Sequence, residues 1–310
     1  MLISIIIPYY NREKFIEATL KSVLAQTYRP LELVLVDNNS TDQSPSICTS
    51  FAKTCSSHDF SIILAEEKKK GASAARNKGL SLSTGEWVYF FDSDDMMSPG
   101  YISDLSYSAI GGEADMVCNR TAMVMPDGAL KTRYSRYSTS AGLQIVSAML
   151  STQSMAFSRD WLIKAGGWDE SLPCWNDWEL GTRALLLKPR VKWLKGGVYH
   201  RILRHQASIS GNAYSQRWRD ILSAIRRVRE DISAHSSGKE AWPLALKAAF
   251  TAGRLGREGN GQGAQCLLYE AFDVIEALGF KPLKKFILKS LYSYTKHGGR
   301  GAWAVAMLLC

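Results

Sequence analysis

The chain has 310 residues, 46% of them hydrophobic and 22% charged, with a formal net charge of +9. These are the proportions of an ordinary globular protein, and the length exceeds one compact core, so a larger domain with an appendage, or two domains, is expected. No apolar stretch approaches the ~20 residues that span a bilayer, and no repeat or low-complexity block occurs, which excludes membrane-spanning and solenoid classes.

The opening "MLISIIIPYYNRE" carries a short apolar run that stops at Pro8 with no basic residue before it, so it does not read as a signal peptide. From there to about residue 120, strand-length runs rich in β-branched and aromatic residues alternate with helical segments. The strands are "ISIIIP", "LELVLVD", "SIILAE", "EWVYFFD" and "ADMVCN". The first helix lies in "NREKFIEATLKSVLAQTYRP", where Ile16, Leu20, Val23 and Leu24 share a face and Pro30 closes the segment. "SPSICTSFAKTC" and "GASAARNKGLSLS" predict two more helices. Strand and helix in alternation predict right-handed crossovers and an α/β domain with a mostly parallel sheet, covered on both faces.

From 121 to 210 the order loosens. "MPDGAL" reads as a hairpin turn, "RDWLIKAGGWDESL" as a short helix ended by glycines, and "DWELGTRALLLK" as a further helix. Beyond 210 the periodicity is helical, with helices expected at 214–233, 240–256, 262–279 and 283–296. This tail, 211–310, carries 15 Lys and Arg against 8 Asp and Glu, so it holds most of the positive charge. The six cysteines, Cys48, Cys55, Cys118, Cys174, Cys266 and Cys310, form no Cys-x-x-Cys pair and read as reduced thiols of a cytoplasmic protein. "NRT" at 119–121 matches a glycosylation sequon by pattern only.

Ligands of an open parallel sheet bind outside the carboxyl ends of its strands, and three strands here end in polar residues: "IIIPYYN", "VLVDNNSTD" and "YFFDSDD". Neither G-x-G-x-x-G nor G-x-x-x-x-G-K-[ST] is present, which argues against a dinucleotide fold and removes a P-loop. On an extended segment Asp92 and Asp94 point to one side and Asp95 to the other. Two carboxylates at one strand end call for a compensating cation, and Mg²⁺ or Mn²⁺ suits hard oxygens. A solvated acidic turn capping a helix is the alternative that a D-x-D taken alone leaves open.

Five blocks in order extend the case: "SIIIPYYNRE" with "ATLKSVLAQTY", then "ELVLVDNNSTD", "GASAARNKG", "GEWVYFFDSDD" and "WNDWEL". Together they resemble the family 2 glycosyltransferases, inverting nucleotide-sugar enzymes of the GT-A fold, over roughly residues 2–210. The resemblance implies a catalytic domain at 1–210, with a nucleotide-binding part to about 120 and an acceptor part at 121–210, followed by a helical region at 211–310. It places Pro8 and Tyr10 against the nucleotide base and Asp37 as acceptor from a uracil or thymine imide, favouring a UDP- or dTDP-sugar. Asn38 and Asn39 stand where the family usually has Asp and Gly, and asparagine tolerates the left-handed angles of such a turn. Arg76 is implied to hold the diphosphate region. Gly71 is expected to let its loop approach closely, and Gly79 to permit helix–sheet packing. Asp92 and Ser93 are implied in sugar-nucleotide contact, and Asp94 in holding the metal. Asp95 either assists or caps the following turn.

Asp177, in "CWNDWEL", matches the family's catalytic base, with Asn176 in place of the usual Glu; an N-cap of the next helix is a second, compatible reading. Trp168, Trp175 and Trp178 are either sugar platforms or core. "YHRILRHQASIS" resembles a Tyr-Arg-x-His-x-x-Ser-x-Ser block, which makes His205, with Arg204 beside it, a further metal or diphosphate contact and His200 its rival.

The implied partners are a nucleotide-sugar donor and a glycan or lipid-linked acceptor, with no nucleic acid. A non-catalytic sugar-binding module would dispense with Asp177, and a sugar-nucleotide pyrophosphorylase would need a glycine-rich loop after the first strand. In "PLKKFILKSLYSYTK", Leu283, Phe286, Ile287 and Leu291 share an arc with Lys285, Lys289 and Lys296 on another. That arc serves either an anionic membrane at the inner face of the cell or packing, on the protein itself or on a second subunit in a homodimer.

Overall fold

A computed structural model of the chain describes residues 1–125, 128–132, 137–195, 200–203, 214–277, 279, 282–299 and 301–310. It forms two compact units. One comprises Met1–Ser135, Leu150–Pro173 and Pro189–His205; the other comprises Arg136–Met149, Cys174–Lys188 and Gln206–Cys310. Where the sequence suggests one boundary near 210, the compact units exchange two earlier segments, and the Asp177 segment falls with the helical tail.

In the first unit, β1 (Ile3–Tyr9), α1 (Ile16–Leu24), β2 (Leu31–Asp37), α2 (Ser44–Cys55), β3 (Phe60–Glu66), α3 (Ala72–Leu82) and β4 (Trp87–Phe90) follow the expected alternation. After them come β5 (Met96–Met97), α4 (Tyr101–Ala109), β6 (Met116–Cys118), β7 (Ala122–Val124), β8 (Leu130–Thr132), β9 (Met155–Ser158), α6 (Arg159–Lys164), β10 (Val191–Trp193) and β11 (His200–Leu203). The large sheet runs β10-β6-β9-β4-β1-β2-β3, and only β9 is antiparallel to its neighbours. β5, β11, β7 and β8 make a small second sheet, in which β7 and β8 form the expected hairpin.

Both faces of the large sheet are covered, for reasons visible in the strands. Ile3, Ile5 and Ile7 of β1 cluster with Ile16, Leu20 and Val23 of α1. The alternate residues meet α3: a Cβ on Gly79 would lie 2.3 Å from Ile6 Cγ2 and 3.4 Å from Val36 Cγ2, so glycine is what lets this helix sit on the sheet. Gly71 works differently from its expected close approach. An added Cβ there meets nothing within 4 Å, but its φ of +128° starts α3 in a conformation other residues rarely adopt.

The second unit is helical: α5 (Ala141–Ser147), α7 (Asn176–Leu186), α8 (Trp218–His235), α9 (Ala241–Arg257), α10 (Gly261–Glu276), α11 (Pro282–Lys296) and α12 (Ala302–Leu308). α9 is central, buried along most of its length. α11 presents Leu288, Leu291 and Thr295 inward, and Gly253 of α9 meets it so closely that an added Cβ would lie 2.6 Å from the Tyr292 carbonyl oxygen. The arc drawn from the sequence therefore divides: Leu291 is buried, whereas Leu283 and Phe286 are 67% and 68% exposed. Close helix approach at a glycine, not the hydrophobic arc alone, chose the packed face. Among the described residues, no helix is long and apolar enough to cross a membrane.

Candidate active site

The strand order places a topological switch point between β1 and β4, beyond whose carboxyl ends an open parallel sheet takes its ligand. The amide of Phe91 donates to the Ile6 carbonyl and that of Asn38 to the Tyr9 carbonyl, so even residues of β1 face β4 and odd ones face β2. Pro8 is an even residue just beyond the point where β4 stops at Phe90. Its missing N–H falls where no strand partner remains, which is why a central strand tolerates it. Tyr10 follows, 53% exposed, and Asn11 turns the chain at a φ of 50°.

At the end of β2, both Asp37 carboxylate oxygens accept the Ser40 amide, at 3.1 and 3.3 Å. Asn39 takes a φ of 68°, the left-handed angle that its substitution for glycine requires. The two asparagines also brace the loop after β3. The Asn38 side chain donates to the carbonyls of Glu67 and Lys69 and accepts the Gly71 amide, while Asn39 donates to Glu67 and Lys68.

The acidic segment differs from its expectation. Residues 92–95 form a turn, with the Asp95 amide reaching the Asp92 carbonyl, so strand alternation does not apply. Asp92 and Asp95 converge, both on the side-chain amide of Gln153, at 2.7 and 2.5 Å. Asp94 lies elsewhere, 3.3 Å from Nε of Arg12. Ser93 is buried within the turn. Asp95 is buried too, and its carbonyl accepts the Thr19 hydroxyl, so it serves structure.

Arg76 is only 6% exposed. Its Nη2 donates to Asp92 at 2.9 Å and its guanidinium carbon lies 4.3 Å from the Trp168 ring centroid, while Nε and Nη1 have no hydrogen-bond partner among the described residues. Buried donors of a cation left without acceptors are costly, and an anion is the group that would satisfy them. Trp168 is fixed in turn: Asn77 bonds its backbone N–H and C=O, and Phe90 packs edge-on at 5.1 Å. Trp168 is thus a buried support for Arg76. Asn77 also donates to Glu170, which the Lys69 ammonium and the Asn77 amide hold below the usual carboxylate range.

Behind the turn, Tyr89 Oη donates to the Gln153 carbonyl and lies 2.9 Å from Nε2 of His200. With the hydroxyl hydrogen committed, His200 donates from Nε2, leaving a bare Nδ1 without a partner among the described residues. Burial among Tyr89, Phe91 and Tyr101 pushes its pKa down to about 3, so it is a neutral histidine enclosed in the core. Arg204 and His205 lie outside the described residues.

Asp177 belongs to the second unit. The N-cap of α7 is Trp175, not Asp177, which stands in the first turn, where the helix dipole favours a carboxylate. Its Oδ1 accepts the Trp178 amide at 2.8 Å, and it is partly exposed. α7 is held by the buried Glu179–Arg183 ion pair and by Trp178 Nε1 donating to the Ile145 carbonyl. Lys247 of α9 is buried beside them, its ammonium 4.9 Å from the Trp175 ring centroid, 5.6 Å from Trp178 and 5.2 Å from Phe250.

The donor set bears on a metal. Among the described residues no group of three or more His, Cys, Asp or Glu side chains could hold an ion. Asp92 and Asp95 bond Gln153 and Asp94 pairs with Arg12, so a cation at this strand end would draw on Asp94 in exchange for Arg12. One carboxylate plus substrate phosphates is a familiar way to hold Mg²⁺, so the residues fit an ion bridged by substrate but not an all-protein cage.

Gln153 and Arg12 were not foreseen. Gln153 sits in "STQSMAF", which has no pattern pointing to a site. Arg12 was visible only as part of the "YYNRE" block.

Comparison with known proteins identifies the family. The profile described as Glycosyl transferase family 2 matches residues 4–166, just over half of the chain. The chain belongs to glycosyl transferase family 2. Among curated relatives, "Glycosyltransferase GlyA" of Streptococcus pneumoniae is 39% identical over 114 residues, 37% of this chain and 16% of that protein. The "GalNAc(5)-diNAcBac-PP-undecaprenol beta-1,3-glucosyltransferase" of Campylobacter jejuni is 30% identical over 133 residues, 43% of this chain and 42% of that protein. The matches thus span less than half of either relative's length. Among solved structures, S. aureus TarS 1-349 in complex with UDP-GlcNAc shares the fold, with a TM-score of 0.72 at 20% identity over 99% of this chain and 90% of that one. The mannosyltransferase PcManGT of Pyrobaculum calidifontis, in complex with GDP-Man and Mn²⁺, gives a TM-score of 0.54 at 18% identity, over 99% and 86%.

Proposed function

We propose that the protein is a metal-dependent inverting glycosyltransferase that moves a sugar from a UDP- or dTDP-sugar to a hydroxyl of a glycan or lipid-linked acceptor, in surface polysaccharide synthesis. The observation that carries this reading is Arg76, held between Asp92 and Trp168 with two buried donors unsatisfied, at the switch point where a parallel sheet takes its ligand. A diphosphate would accept from those donors. Tyr10 would lie against the base, Asp37 would accept from its imide, and Asp92 would take the ribose.

The acceptor hydroxyl transfers its proton to Asp177 as its oxygen bonds to the anomeric carbon. The bond from that carbon to the diphosphate oxygen breaks, the nucleoside diphosphate leaves with the electron pair, and the configuration inverts. A divalent ion held by Asp94 would stabilise the charge of the leaving diphosphate. Arg76 contributes the same sense of stabilisation from a fixed position. Basic α11, with Leu283 and Phe286 exposed, supports peripheral contact with an anionic membrane bearing a lipid-linked acceptor.

The test is thermal stabilisation across a panel of nucleotide sugars with Mn²⁺ or with chelator, for the wild type and Asp94→Asn. A shift for one UDP- or dTDP-sugar, dependent on Mn²⁺ and lost in Asp94→Asn, is expected. No shift with any nucleotide sugar would overturn the reading.

A further inference from the structure

We infer that Trp175 is a binding platform for the acceptor, against which a pyranose ring of the acceptor stacks beside Asp177. The inference rests on the proposed glycosyl transfer. Of the three tryptophans that flank this region in sequence, Trp168 and Trp178 are buried, and each has a structural task described above. Trp175 is partly exposed, two residues before the proposed base.

Its backbone is also strained. Trp175 takes φ 57° and ψ 20°, a left-handed conformation that a bulky side chain rarely adopts, and it makes no side-chain capping bond to α7. Asparagine or glycine would take that angle with less strain, and serine, threonine, aspartate or asparagine would cap the helix better. Strained geometry of this kind persists where the surroundings fix it, and it gathers at functional sites.

The surroundings do fix the ring. Trp178 packs against it edge-on with centroids 5.1 Å apart, and Tyr214 does the same at 5.9 Å. Lys247 places its ammonium 4.9 Å from the Trp175 centroid, and Arg254 backs Tyr214 at 3.6 Å. One cation and two aromatic rings thus pack against one indole, with Arg254 behind Tyr214, while part of the indole stays open to solvent. A rigid aromatic surface with an apolar body and a polar edge suits a sugar, which offers C–H groups on a face and hydroxyls around the rim.

The test uses the full chain, a panel of methyl glycosides (gluco, galacto and N-acetylglucosamine, both anomers) and UDP as an independent probe. Binding is followed by saturation-transfer NMR and titration. Trp175→Phe keeps an aromatic face, and Trp175→Asn removes it while relaxing the backbone. At least one glycoside should bind the wild type with saturation on its ring C–H protons. Trp175→Phe should stay within a few-fold, and Trp175→Asn should lose about tenfold or more, with UDP affinity unchanged. If Trp175→Asn proves unfolded by circular dichroism, Trp175→Leu replaces it in the same comparison. Equal glycoside binding by wild type and the ring-less variant, or no glycoside binding by the wild type, overturns the platform. Intact UDP binding in that case leaves the glycosyltransferase reading standing, whereas loss of all nucleotide binding in the wild type would remove both.

Discussion

Arg76 and Trp168 form a stacked pair, guanidinium carbon to ring centroid 4.3 Å, that aims a buried cation at Asp92 while leaving two of its nitrogens without a partner among the described residues. Lysine cannot reproduce both the stack and the fork of donors. Arg76→Lys is expected to weaken UDP binding by about 10- to 100-fold, which corresponds to roughly one charged hydrogen bond or two. Calorimetric titration with UDP measures this, and an unchanged affinity would remove Arg76 from the diphosphate site.

Gln153 gives a second prediction. A neutral amide holds two carboxylates there in a buried place, so Gln153→Glu brings a third negative charge among them. The new carboxyl would have its folded-state pKa raised, and an acid with a raised pKa costs stability as pH rises above its unfolded value. The variant should be destabilised by roughly 3–5 kcal/mol at pH 8 and by clearly less at pH 5.5. Urea unfolding at the two pH values decides it, since a pH-independent deficit would mean that only packing had changed.

His200 sets an acid limit. Its pKa falls from the ordinary 6.5 to about 3 in the folded chain because burial disfavours the charged form. The unfolded state therefore binds more protons between those values, and stability present above pH 6.5 is lost as pH falls below it. This single group removes on the order of 1 kcal/mol between pH 8 and pH 5.5. His200→Phe should show a smaller drop in melting temperature over that range than the wild type. An equal drop would place the acid sensitivity elsewhere.

Much of this fold was legible because its signals are local. Each of the first four strands is a short apolar run closed by a polar residue, and Gly79, Asn39 and Pro8 each satisfy a backbone or packing need that can be read one residue at a time. The acidic turn was not legible in the same way. Alternation predicted that Asp92 and Asp94 converge, but the strand ends at Phe90, and the partner that gathers Asp92 and Asp95 comes from Gln153, far along the chain. Which residues of the α11 arc pack was not legible for a similar reason, since the packed face depends on where Gly253 of another helix allows approach. α12 went unread because a seven-residue apolar helix is too short to show a period.

The central claim is that Asp177 takes the acceptor proton in a transfer from a nucleotide sugar. The most direct measurement is nucleoside diphosphate release and glycoside formation by wild type and Asp177→Asn, with the stabilising nucleotide sugar and a binding glycoside, alongside donor titration of both proteins. The account predicts that Asp177→Asn binds donor as the wild type does, forms product ~10²–10⁴-fold more slowly, and that the wild-type product has the inverted anomeric configuration by NMR. A variant that transfers sugar at the wild-type rate, or whose loss lies wholly in weaker donor binding, would contradict it.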